Sequence, residues 1–155
     1  MMRKSMLHGT MIVVAVLALA SSAAAAKELV NVDGSGLALE GYDPVAFHTE
    51  GKAVQGKDEI TFRHGGATYR FASLESKEKF ASAPDRYAPA FGGFCAYGAS
   101  NGYAAPVKIE TWQIFGGRLL LNYDLEVKAK FDADRKGYLE KADRNWPTIV
   151  EKEGK

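Results

Sequence analysis

The chain has 155 residues but only one cysteine, and its four methionines all precede residue 12. A single cysteine cannot form a disulfide within the chain, which excludes a small secreted scaffold held together by disulfides. If the first 26 residues are removed, no thioether remains for a copper site. Any metal centre in the rest of the chain would have to use histidine, carboxylate and one thiol.

The chain also has no marked excess of positive or negative charge, because 20 basic residues balance 19 acidic ones. Without a basic excess, nucleic acid is not an expected partner. The sequence also contains no glycine-rich phosphate loop, dinucleotide fingerprint or paired zinc ligands. These absences argue against a P-loop nucleotide enzyme, a dinucleotide-dependent enzyme of the Rossmann type and a zinc protein with paired ligands.

The first 26 residues have the three parts of a secretory signal peptide. Arg3 and Lys4 precede an apolar run at 11–20, and Ala24 and Ala26 are spaced for cleavage before Lys27. The apolar run is shorter than the roughly 20 residues of a membrane span. We therefore predict an exported protein, periplasmic or secreted, with a mature domain at 27–155 and no membrane span.

The central stretch, 60–98, predicts a β-hairpin followed by a capped helix. Apolar and polar residues alternate up to His64, and Gly65 and Gly66 suit a tight turn before the return strand. Ser73 is placed to cap the next helix, and Pro84 ends it. We expect Leu74 and Phe80 to face the core, while the shorter segment 45–48 is predicted as a strand.

A repeat appears when the chain is shifted by 51 residues. Between 61–87 and 112–138, eight of 27 aligned positions are identical, against roughly two expected from ordinary composition. The shared positions include the two-glycine turn, Phe80 with Phe131, and Tyr87 with Tyr138. We predict an α+β fold of two antiparallel hairpin–helix (ββα) units sharing one core, with a second hairpin at 111–123 and a helix at 125–136. The alternative is that any hairpin followed by a helix gives a similar pattern. Asn145, Trp146 and Pro147 are predicted to end the last helix.

The residues at 41–98 resemble the YHS domain, and the remainder to residue 150 resembles the extension of exported, stand-alone members. The matching residues are Asp43-Pro44-Val45, His64-Gly65, Tyr69, Phe71-Ala72-Ser73, Ser76, Phe80 and Pro84-Asp85-Arg86-Tyr87. The resemblance implies a binding module, since YHS domains occur beside copper-transporting ATPases and are suspected of binding metal through cysteines. In this chain those cysteine positions hold Ala46, Ala72 and Ser76, and His48 replaces the methionine of the opening motif.

Three functions remain open. The first is a non-enzymatic envelope module that binds a metal ion, copper or zinc, through His48, His64 and Cys95, with Asp43 in reserve. A small ligand could instead occupy a pocket of Asp43, Tyr69, Phe94 and Tyr97. The second is a structural or interaction module with an envelope protein partner, and the third is an enzyme that uses Cys95 as its nucleophile.

Overall fold

The computed structural model describes residues 26–155, so the predicted signal peptide lies almost wholly outside the described part. The helices and strands follow in the order α1 (Pro44–Thr49), β1 (Lys57–His64), β2 (Ala67–Phe71), α2 (Leu74–Ser82), α3 (Pro84–Tyr87), α4 (Ala96–Ser100), β3 (Lys108–Phe115), β4 (Arg118–Asn122), α5 (Leu125–Asp132) and α6 (Arg135–Glu153). The fold is α+β. Among the described helices, none is long and apolar enough to cross a membrane.

Two hairpin–helix units are present, β1–β2–α2 and β3–β4–α5. Each hairpin is antiparallel and turns through two glycines with positive φ angles, 58° and 76° at Gly65 and Gly66 and 58° and 75° at Gly116 and Gly117. Residues with a Cβ rarely adopt these angles, which explains the glycine pair in both turns. Strand β3 begins and ends 51 residues after β1, and β4 begins and ends 51 residues after β2.

Each unit caps its helix in the same way. The Ser73 hydroxyl accepts a hydrogen bond from the Ser76 N–H at 3.1 Å, and the Asp124 carboxylate accepts one from the Val127 N–H at 2.8 Å. Such caps satisfy an N–H group that has no partner within the helix. The Phe80 and Phe131 side chains, at equivalent positions, are both completely buried.

The buried side chains do not form the single shared core that the repeat predicts. The two hairpins form separate two-stranded sheets, and the buried side chains form two clusters. One cluster is centred on Phe80 and also takes Leu119 and Leu121 from β4. The other joins Leu120 and Phe131 to α4 and α6. Successive β4 side chains point to opposite faces, so this strand contributes to both clusters.

Four local predictions are wrong. The helix predicted at 125–136 ends at Asp132, and α6 begins at Arg135. Segment 45–48 belongs to helix α1, because Asp43 caps it and Pro44 occupies its first turn. The last helix continues through Pro147 to Glu153. Contacts on both sides of the proline stabilise it, because Trp146 packs on Phe91 and Ile149 is buried. Leu74 lies at the start of α2 and is 65% exposed, so it does not face the core.

The segment after the predicted cleavage point, Lys27 to Asn31, lies against the rest of the domain and is called the N-terminal arm below. Its Asn31 N–H donates to the Gly92 carbonyl at 2.8 Å, and Glu28 and Lys155 exchange two backbone hydrogen bonds of 3.1 and 3.0 Å. The Lys27 ammonium also pairs with Glu151 at 2.9 Å. The arm therefore connects α6 to the loop that contains Gly92.

Candidate ligand pocket

His48 lies near the end of α1, with its ring edge-on to Tyr87 at a centroid distance of 5.4 Å. Its Nε2 atom is buried and has no hydrogen-bond partner among residues 26–155. Burial, and secondarily the positive charge of Arg86, lower the pKa of His48 below its ordinary value of 6.5. The neutral imidazole is therefore favoured in the folded protein.

We expect the free energy of unfolding to fall on acidification because of His48. The folded-state pKa is lower than the unfolded-state value, so the stabilisation is complete above about pH 6.5 and is lost progressively below it. Urea denaturation between pH 5 and 8 measures this slope, which His48→Gln should reduce. An unchanged slope in His48→Gln would contradict the assignment.

Cys95 is only 1% exposed and caps the short helix α4. Its Sγ accepts a hydrogen bond from the Gly98 N–H at 3.3 Å and donates to the Asn122 Oδ1 at 3.6 Å. Burial raises the pKa of the Cys95 thiol, against the opposing effect of backbone N–H groups. A buried, protonated thiol is neither a good nucleophile nor a ready metal ligand.

We therefore expect Cys95 to resist an aromatic disulfide reagent until the protein unfolds. In the native protein at pH 8 the reaction should be at least a hundredfold slower than in 6 M guanidinium chloride, since only opened molecules react. The absorbance of the released thiolate measures both rates. Similar rates in the two conditions would show that the thiol is accessible.

Asp43 has a structural role that the sequence did not reveal. Its side chain is completely buried, and its Oδ1 accepts hydrogen bonds from the N–H groups of Val45 at 2.8 Å and Ala46 at 3.3 Å. Its Oδ2 accepts from the Ala72 N–H at 2.9 Å, directly after β2. The carboxylate therefore connects the start of α1 to the end of the first hairpin, which leaves it poorly placed to bind a ligand.

The structure does not assemble the predicted metal site. Across residues 26–155, no three His, Cys, Asp or Glu side chains are grouped closely enough to hold a metal ion. His48 packs on Tyr87, His64 lies 3.7 Å from the Asp85 carboxylate, and Cys95 contacts Asn122. These residues do not fit a copper or zinc centre built from three protein ligands, the minimum of most protein sites.

Two of the predicted residues, His64 and Tyr69, do line a common pocket of about 240 Å³. Its walls also include Lys27, Glu28 and Leu29 of the N-terminal arm and Trp146 of α6. Burial, and then the negative charge of Glu28, raise the pKa of the Tyr69 hydroxyl to about 12. Glu28 and Tyr69 both line this pocket, which is called the His64–Tyr69 pocket below.

The other predicted pocket residues lie elsewhere. Tyr97 packs on Tyr138 at a centroid distance of 5.1 Å, and Phe94 packs on Trp146 at 6.3 Å without lining the pocket. Asp43 is buried at the start of α1. Of the predicted pocket residues, only Tyr69 lines the His64–Tyr69 pocket. Glu28 and Trp146 were not predicted, since nothing in the local sequence indicates that the two ends of the domain meet.

Comparisons of the chain with protein-family models, with curated proteins and with solved structures found no match. The ligand is therefore inferred from the residues of the pocket.

Proposed function

We propose that the mature protein is an exported, non-enzymatic YHS-type binding module and that the His64–Tyr69 pocket is its ligand site. The observation that carries this proposal is that His64 and Tyr69 line one pocket. They match two of the residues for which the YHS domain is named. The two-glycine turn between them brings the end of β1 beside the start of β2, which is why both side chains reach the same place.

The absence of a catalytic role is inferred from how the reactive side chains are used. Cys95, Asp43 and Ser73 each accept hydrogen bonds from backbone N–H groups at a helix start. Among the described residues, Cys95 has no histidine or acid as a hydrogen-bond partner that could activate it as a nucleophile. These three side chains stabilise the fold. The His64–Tyr69 pocket instead provides shape, charge and hydrogen-bonding groups for a ligand.

The pocket chemistry favours a small organic amine with an apolar body. Glu28 forms no ion pair with any residue of 26–155, whereas the ammonium of neighbouring Lys27 is engaged by Glu151. Glu28 is exposed and Lys27 also lines the pocket, but the Glu28 carboxylate is free to pair with a cationic ligand. The apolar part of the pocket wall is formed by Leu29, Pro89 and Trp146. The pocket volume suits a ligand of about ten heavy atoms or fewer.

The test uses isoamylammonium, with isovalerate and isoamyl alcohol as matched probes of different charge. Amide chemical shifts of the mature protein should move around Gly65, Tyr69 and Trp146 with the amine, and far less with the acid. Glu28→Gln should weaken amine binding at least fivefold while leaving the alcohol unaffected. Tyr97→Phe, outside the pocket, serves as the control. Equal binding of amine and acid, or shifts confined to other surfaces, would refute the proposal.

A further inference from the structure

A second concave surface lies where the residues before β3 face the turn region at 31–40. Two hollows of about 360 Å³ each share the lining residues Glu40 and Ile109, and we treat them together as one groove. Neither hollow includes His64 or Tyr69, so this groove is separate from the His64–Tyr69 pocket. It is called the acidic groove below.

The floor of the acidic groove is apolar. Leu39 and Ile109 are 6% and 8% exposed and belong to the buried cluster around Phe80. Val32 and Val107 extend this surface outward, and Val32 is unusual for a valine in being 39% exposed. A bound segment could therefore bury apolar side chains against a rigid base that is continuous with the core.

The rim carries three carboxylates, those of Asp33, Glu40 and Glu110, that form no ion pair within the described part of the chain. One of them, Asp33, accepts hydrogen bonds from Ser35 and Leu37 and also feels the positive charge of Arg70. Lys108 is the one basic residue in the lining. Three carboxylates against one ammonium leave a negative groove, which favours a basic partner.

Residues 108–110 at the start of β3 line the groove. This strand pairs only with β4, so its other edge has no strand partner among residues 26–155. Its ladder is also irregular between Lys108 and Gln113, next to the groove. An unpaired strand edge can accept an extended peptide through main-chain hydrogen bonds, with alternate side chains providing selectivity.

We propose that the acidic groove binds an extended segment of another protein in which basic and apolar side chains alternate. Apolar residues of the segment would contact Val32 and Ile109, and its lysine or arginine residues would pair with Glu40 and Glu110. The groove shape, the charge of the rim and the free edge of β3 all favour this type of occupant.

The test measures fluorescence anisotropy of a labelled heptapeptide of alternating valine and lysine, beside one of alternating valine and glutamate. The mature protein should bind the basic peptide, and binding should weaken as salt rises. The double variant Glu40→Lys/Glu110→Lys should weaken binding at least tenfold. The control Glu78→Lys/Glu140→Lys makes the same change of net charge on exposed helix surfaces and should change affinity less than twofold.

A variant that leaves charge unchanged tests the apolar floor. Val32→Asn should weaken binding of the basic peptide about threefold or more with only a small change in the unfolding transition, because the residue is 39% exposed and lies outside the buried clusters. Equal binding of the acidic peptide, or equal loss in both double variants, would show nonspecific attraction and overturn the proposal. Unchanged binding in Val32→Asn together with the groove double variant would do the same.

Discussion

Replacing Phe80 by alanine is expected to destabilise the mature protein by about 3–5 kcal/mol, the usual cost of removing a buried phenylalanine. The side chain is completely buried, and its ring lies 4.9 Å from that of Tyr69 and 5.2 Å from that of Phe71, measured between centroids. The substitution would leave a cavity bordered by both strands of the first hairpin and by α2. This loss is a large fraction of the stability of a typical small domain.

Two matched variants make this prediction specific. Phe131→Ala changes the equivalent position of the second unit, also completely buried, and should cost a similar amount. Leu74→Ala changes an apolar residue of α2 that is 65% exposed and should cost less than about 0.5 kcal/mol. Urea denaturation at pH 7.5 measures all three. A loss below 1 kcal/mol in Phe80→Ala would contradict the packing described for the first unit.

Replacing Gly92 by alanine is expected to release the N-terminal arm and destabilise the protein by roughly 2 kcal/mol or more. A Cβ atom at this position would lie 2.0 Å from the Leu29 carbonyl oxygen, so the arm would have to move. The φ angle of Gly92 is 57°, which adds backbone strain for any other residue. Movement of the arm would break the hydrogen bond between Asn31 and Gly92.

Gly51→Ala is the matched control, because Gly51 has a φ angle of 62° but no atom within 4 Å of an added Cβ. It should show the cost of backbone strain alone, about 1–2 kcal/mol. Hydrogen exchange at the Asn31 amide separates the two effects: it should accelerate in Gly92→Ala and stay slow in Gly51→Ala. If the Asn31 amide remains protected in Gly92→Ala, the close packing of the arm is wrong.

The same substitution connects the fold to the proposed function. Glu28 and Leu29 belong to the N-terminal arm and line the His64–Tyr69 pocket, which Gly92 itself also lines. Gly92→Ala should therefore weaken binding of isoamylammonium, whereas Gly51→Ala should not. Preserved amine binding with a released arm would mean that Glu28 does not contribute to the pocket.

The hairpin–helix units were predictable because their determinants are local. A pair of glycines, a capping side chain and a buried phenylalanine recur at fixed spacing in both units. Helix α1 also had a local signal, Asp43 followed by Pro44, but the apolar residues after them suggested a strand. The continuation of α6 through Pro147 was not predictable, since the contacts of Trp146 with Phe91 and Phe94 compensate for the proline.

The candidate site was only partly predictable, because some of its residues meet through contacts between distant parts of the chain. His64 and Tyr69 flank one hairpin turn, so their proximity follows from the sequence. Glu28 reaches them because the arm pairs with Lys155 and Gly92, contacts between distant parts of the chain. The burial of Cys95 depends on Asn122 of β4, and a lone cysteine gives no local signal of whether it is buried or exposed.

We propose a ligand pocket but no metal centre formed by His48, His64 and Cys95, and calorimetric titration tests the second part most directly. Cu²⁺ and Zn²⁺ would be titrated into the mature protein and into the triple variant His48→Ala/His64→Ala/Cys95→Ser. The account predicts affinities that agree within about threefold for each metal, since the three residues do not converge. One equivalent of either metal bound at least tenfold more tightly by the unaltered protein would contradict it.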